Sequence, residues 1–153
     1  MATNYVTAGL GFLAGILWLD LMFDVQLLRG RRARRDPSEA LASIAPYYRH
    51  ATVRARPMNL LIAGVMVATL VAIALQLRDA STPAWVPRTS LVTCGVPIAL
   101  AALSTVPSAI KLGTLPEGAR DERNRLASRV LRDHLIALTG IVATLVVQLA
   151  FAR

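Results

Sequence analysis

LWLDLMFDVQLLRGRRARRD, residues 17–36, closes a long apolar run with two aspartates one helical turn apart and then a burst of arginines. The run begins near residue 5 and ends near residue 28, enough for the roughly 20 residues that a helix needs to cross a hydrocarbon core of about 30 Å. Nothing basic precedes it, and a basic segment follows it where a small-residue cleavage site would stand in a signal peptide. The expectation is a retained transmembrane helix. Three further runs have the same character, over residues 57–77, 91–110 and 135–151. With 55% hydrophobic and 17% charged residues in a chain of 153, the composition is that of a membrane protein. The reading is all-α: one domain, 1–153, forming a polytopic four-helix transmembrane bundle.

The arginines set its orientation. Of the 17 basic residues, Arg29, Arg31, Arg32, Arg34, Arg35, Arg49, Arg54 and Arg56 separate the first two spans. Lys111, Arg120, Arg123, Arg125, Arg129 and Arg132 separate the last two, and Arg78, Arg88 and Arg153 are left for the other side. Basic residues gather in cytoplasmic connections, so both termini are expected outside. The same partition explains the net charge of +8 without nucleic acid. Arginine and alanine bias suggests a bacterial genome of high GC content, hence a multi-pass protein of the cytoplasmic membrane. Cys94 is the single cysteine, which excludes an intrachain disulfide and CxxC redox chemistry.

Local signals fill in the connections. The stretch DPSE places an N-cap at Asp36, with Pro37 at the first helical position and Glu39 closing a capping box, so a helix is expected to lead into the second span from there or from Pro46. Trp85 is expected at the headgroup level. Pro97 and Pro107 should bend the third span. No proline follows residue 116, so one long helix should run to residue 151.

Polar and small residues at spacings of three and four mark the faces that meet. They are Asp133, Ala137, Gly140, Thr144 and Gln148 on the fourth span; Ala101, Ser104, Ser108 and Lys111 on the third; Arg56, Asn59 and Ala63 on the second; and Asp20 and Asp24 with Leu13 and Leu17 on the first. Ionisable groups inside a membrane are costly unless paired. Asp20 and Asp24 are therefore expected to meet an arginine, with Arg54, Arg56, Arg129 and Arg132 in range. The result is a polar cluster at the cytoplasmic end that also holds Asn59 and Asp133. It serves either as an ion-pair seam or as a pocket.

GFLAG, residues 11–15, is a GxxxG within a span. No strand precedes it, so a nucleotide-binding loop is excluded and close helix packing is expected. Gly15 and Asp20 lie about 140° apart around a helix. The Gly11/Gly15 face is thus open to a second copy or another membrane protein, while Ala137 and Gly140 pack within the bundle. His50 and His134 should sit at the cytoplasmic interface. The carboxylates and paired Glu-x-x-His repeats of di-iron bundles are missing, and the expectation is no metal and no cofactor.

The stretches PYYRHATVRARP before the second span, STVPSAIKLGTLP at the end of the third and ERNRLASRVLRDHLIALTG leading into the fourth resemble in layout the small four-helix membrane family that includes the anthrone oxygenases. That resemblance implies a four-helix membrane bundle and oxygenation of an aromatic polyketide without metal or flavin. It supplies no residue-by-residue catalytic motif. Two functions stand open: a non-catalytic partner or assembly protein with an Asp/Arg cluster, and a cofactor-free, oxygenase-like or ligand-binding protein for an apolar or aromatic molecule.

Overall fold

The computed structural model describes residues 2–32, 56–116 and 118–152, with side chains over 2–25, 57–116 and 118–152. The described residues form α1 (Ala2–Arg32), α2 (Arg56–Gln76), α3 (Trp85–Leu100), a π turn (Ala101–Thr105), α4 (Val106–Thr114) and α5 (Arg120–Phe151), and no strand. The third span is continuous through the π turn, from Trp85 to Thr114. Four segments are long and apolar enough to cross a membrane. The helix start at Asp36, His50 and Arg54 lie outside the described residues, as does the side chain of Arg56.

Each span lies antiparallel to its chain neighbour. α1 packs on α2 and α5, and α3 packs on the same two, which sets α1 and α3 across one diagonal and α2 and α5 across the other. The centre is filled by Val6, Leu10 and Leu13 of α1, Ala72 and Ile73 of α2, Cys94 of α3 and Ile141 of α5. A second cluster, Ala109 and Leu112 with Leu126, Ala127 and Val130, joins α4 to the first turns of α5. Large apolar side chains also cover the outside, with Leu60 74% and Leu103 81% exposed. Such a surface is an error in water and the rule in lipid. Trp85 meets Phe151 edge-on, their rings 5.0 Å apart, at the end that carries both termini.

Glycine is required at two crossings. A Cβ on Gly9 would collide with Thr69 Oγ1 of α2. One on Gly140 would stand 2.5 Å from the Thr93 carbonyl and 2.6 Å from Pro97 Cγ. The second crossing follows from the sequence of α3: Pro97 has no N–H to give the Thr93 carbonyl, and α5 closes on that bared turn through Gly140. Thr93 and Thr144 then meet at 2.7 Å between the hydroxyls. Gly11 and Gly15 are different. A Cβ on either meets nothing within 4 Å, and both lie on the exposed face of α1.

The interior stripe expected on the fourth span is interior: Asp133, Ala137, Thr144 and Gln148 are buried. Two other stripes change. Ala63 is exposed, and α2 turns Thr69, Ala72, Ile73 and Gln76 inward. Lys111 is also exposed and pairs with Glu122 across the α4–α5 hairpin. The π turn explains Lys111. There the Val106 N–H bonds back five residues, to the Ala101 carbonyl. One extra residue is wound into that turn, so a stripe counted at helical spacing loses register across it.

Candidate functional site

Two polar layers interrupt the apolar interior, one at each end. At the terminal end, Gln76 of α2 and Gln148 of α5 exchange two amide hydrogen bonds, each 2.9 Å, across the diagonal. The second N–H of Gln148 donates to Ser90 Oγ of α3 at 2.9 Å, and that of Gln76 points to Thr3 Oγ1 of α1 at 3.4 Å. Both glutamines are buried. All four spans contribute, and each amide hydrogen has an acceptor.

The opposite, loop end is ionisable. His134 and Asp133 lie about 21 Å and 23 Å from Gln148 along α5, at roughly 1.5 Å per residue. His134 Nδ1 stands 2.6 Å from Asp24 Oδ2, joining α5 to α1. Asp24 is 2% and His134 7% exposed. Asp20, one turn along α1, has its Oδ2 4.0 Å from His134 Nε2 and is partly open. Asp133 turns the other way and is fully buried. It accepts 2.6 Å from Ser104 Oγ in the π turn, and 3.2 Å and 2.9 Å from Nε and Nη2 of Arg132.

Neighbouring residues of α5 thus serve two helices. Asp133 faces the third span and His134 faces α1, about 100° apart. A helix packed on two neighbours buries an arc wide enough for both. A carboxylate can only accept, so this contact fits a proton on Nδ1, while the other ring nitrogen, Nε2, faces Asp20. The arrangement is an oriented imidazole held by a carboxylate, with a second carboxylate 4.0 Å from its other ring nitrogen.

Compared with family models, with curated proteins and with solved structures, the chain matches none. The site therefore rests on its own geometry.

Of the residues that the sequence placed in the cluster, Asp20, Asp24 and Asp133 gather at this level. Asn59 is half-buried near the start of α2. Arg132 binds Asp133 and not the α1 aspartates, and Arg129 is exposed. The reason is rotational: Arg132 and His134 are about 160° apart around α5, so bringing His134 to α1 turns Arg132 outward. His134, expected near the cytoplasmic interface, bonds Asp24 of α1. The spacing of His134, Ile141 and Gln148, each seven apart, carried that information. Ser104 stood on an expected stripe, but its bond to Asp133 depends on the π turn. Among the described residues, no group of three His, Cys, Asp or Glu side chains could hold a metal ion.

Proposed function

We propose that the chain is a multi-pass protein of a bacterial cytoplasmic membrane, with both termini outside and the loop end in the cytoplasm. There the Asp24–His134 dyad acts as an acid–base site on a weakly acidic, membrane-soluble aromatic molecule. The observation that carries this reading is the buried 2.6 Å contact between Asp24 and His134. An aspartate paired with arginine would hold both charges at any physiological pH, whereas histidine changes charge near neutrality. Fixed at Nδ1 by Asp24, the imidazole offers Nε2 as the general base. It takes a proton from an activated C–H or O–H, and Asp24 stabilises the imidazolium that forms.

The family resemblance gives the proton transfer a chemical outcome. An anthrone loses a ring CH₂ proton to Nε2, and the carbanion reduces dissolved dioxygen. The balance is anthrone plus O₂ to anthraquinone plus water, and the imidazolium proton leaves with the reduced oxygen. The test is anthrone-dependent oxygen uptake by the protein in phosphatidylcholine nanodiscs. Wild type should exceed empty nanodiscs, and His134→Gln and Asp24→Asn should each lose about 100-fold or more, the usual weight of a general base. A wild-type rate equal to that of empty nanodiscs overturns the reading.

A second reading, a non-catalytic partner or assembly protein, is favoured by one observation: Gly11 and Gly15 face outward with open space over them. Small residues on an outer face let another helix approach closely. Under that reading Gly11→Leu and Gly15→Leu change the migration of the native complex and leave the dyad intact. Unchanged migration of both variants removes its support.

A further inference from the structure

The outward face of α5 changes character along its length. Arg125, Arg129 and Arg132 follow one another at spacings of four and three, all exposed, with the Arg132 side chain 65% open. At the same helical phase the face continues through Ile136, Ala143 and Val146, also exposed. The stripe is therefore basic for about two turns and, apart from Thr139, whose hydroxyl donates to the Leu135 carbonyl, apolar thereafter.

An independent marker fixes where the change falls. Phe151 packs on Trp85 at the terminal end, and such aromatics sit at a membrane interface. From Phe151 back to Arg132 is about 29 Å of helix, close to the roughly 30 Å of a hydrocarbon core. Arg132 thus falls at the opposite boundary, Arg129 about 4 Å beyond it and Arg125 about 10 Å beyond, a span that matches the headgroup layer. Among the described residues the acids nearest the stripe are Glu122, engaged first by Lys111 and then by the charge of Arg125, Asp133, which takes Arg132 from its buried side, and exposed Asp121, one turn before Arg125.

We infer that the Arg125–Arg129–Arg132 face of α5 binds the phosphate groups of anionic phospholipids in the adjoining leaflet. This does not rest on the acid–base reading. Arginine suits the task because its planar guanidinium takes phosphate oxygens in pairs, and its aliphatic stem lies along the apolar helix face. Each basic residue near an anionic surface contributes about a fivefold preference.

The test is electron paramagnetic resonance of spin-labelled phosphatidylglycerol and phosphatidylcholine in phosphatidylcholine vesicles that contain the full chain. Wild type should prefer phosphatidylglycerol. Arg125→Gln with Arg129→Gln should reduce that preference about 25-fold at the contacted positions, while Arg125→Lys with Arg129→Lys should retain most of it. Arg132 is left intact because it holds Asp133. Arg78→Gln with Arg88→Gln, at the terminal end, should have the smaller effect. An unchanged preference in the Arg125/Arg129 glutamine variant overturns the inference, as does a larger loss from the Arg78/Arg88 variant. Abolition of the preference by inorganic phosphate at constant ionic strength also overturns it, since the site would then serve a soluble anion.

Discussion

The two polar layers of this bundle solve the same problem with different chemistry. The terminal layer uses neutral groups: two glutamine amides bond each other, and a serine and a threonine take the remaining hydrogens. Nothing in it changes charge in the physiological range, so its hydrogen bonds persist as conditions change. The loop layer uses a histidine between two aspartates, and a third aspartate held by Ser104 and Arg132. Its bonding depends on where the protons are. A bundle that needed only to stay closed could have used amides at both ends. The proposed acid–base role of the loop layer draws on this contrast.

The largest effect should come from breaking the buried pair. His134→Leu removes the group 2.6 Å from a buried carboxylate, and loss of one partner from such a pair costs about 3–5 kcal/mol. Thermal unfolding in detergent measures it. His134→Gln should recover part of the loss by offering an N–H to Asp24, yet remain inactive as a base. Equal melting of the leucine variant and wild type would make the pair energetically idle and erase the contrast between the layers.

Gly140→Ala comes next. The added methyl would stand 2.5 Å from a backbone carbonyl, which cannot swing away as a side-chain tip can, so about 1–3 kcal/mol of overpacking is expected. Gly11→Ala, with nothing within 4 Å of its Cβ, should leave the melting temperature of the isolated monomer unchanged.

Gln148→Leu should cost about 1–2 kcal/mol, since the amide of Gln76 loses its reciprocal partner. Changing Gln76 to Leu as well should restore much of it by removing the stranded amide. The neutral layer should show the same loss at pH 6 and pH 8. A pH-dependent Gln148→Leu loss would blur the distinction.

How far the sequence revealed these layers depends on whether a residue's place follows from its own helix. Four spans, the proline marks on the third and the inward stripe of α5 all follow from apolar length and helical spacing, which are properties of one segment. The pairing of Asp24 does not. Charge alone offered Arg54, Arg56, Arg129 and Arg132; Arg54 and the Arg56 side chain lie outside the described residues, and rotation about α5 turns Arg129 and Arg132 away while bringing His134 to α1. The π turn was equally hidden. It both delivers Ser104 to Asp133 and displaces Lys111 from the stripe to which spacing assigned it. Gln148 was placed inward by spacing, but its partner Gln76 depends on which diagonal the bundle closes.

The smallest effect lies outside the spans, in the turn after α2. The backbone N–H and hydroxyl of Ser81 both donate to Asp79 Oδ1, at 3.0 Å and 2.7 Å. The side-chain bond, then the backbone bond, hold the Asp79 carboxyl below its ordinary 3.8. A depressed folded-state pKa means that the turn's contribution is present above the unfolded value and is lost as pH falls through the folded one. Ser81→Ala should therefore raise the Asp79 midpoint, read from the carboxyl carbon shift, with no measurable change in the bundle at neutral pH.

The most direct test of the central claim is the ¹⁵N spectrum of His134 in nanodiscs near pH 7.5, in a His50→Gln background that leaves a single histidine. An acid–base dyad requires a protonated Nδ1 with the strongly downfield proton of a bond to carboxylate, and an Nε2 shift typical of an unprotonated nitrogen. Asp24→Asn should abolish the downfield proton. A proton on Nε2 with a bare Nδ1, or a spectrum indifferent to Asp24→Asn, would contradict the account.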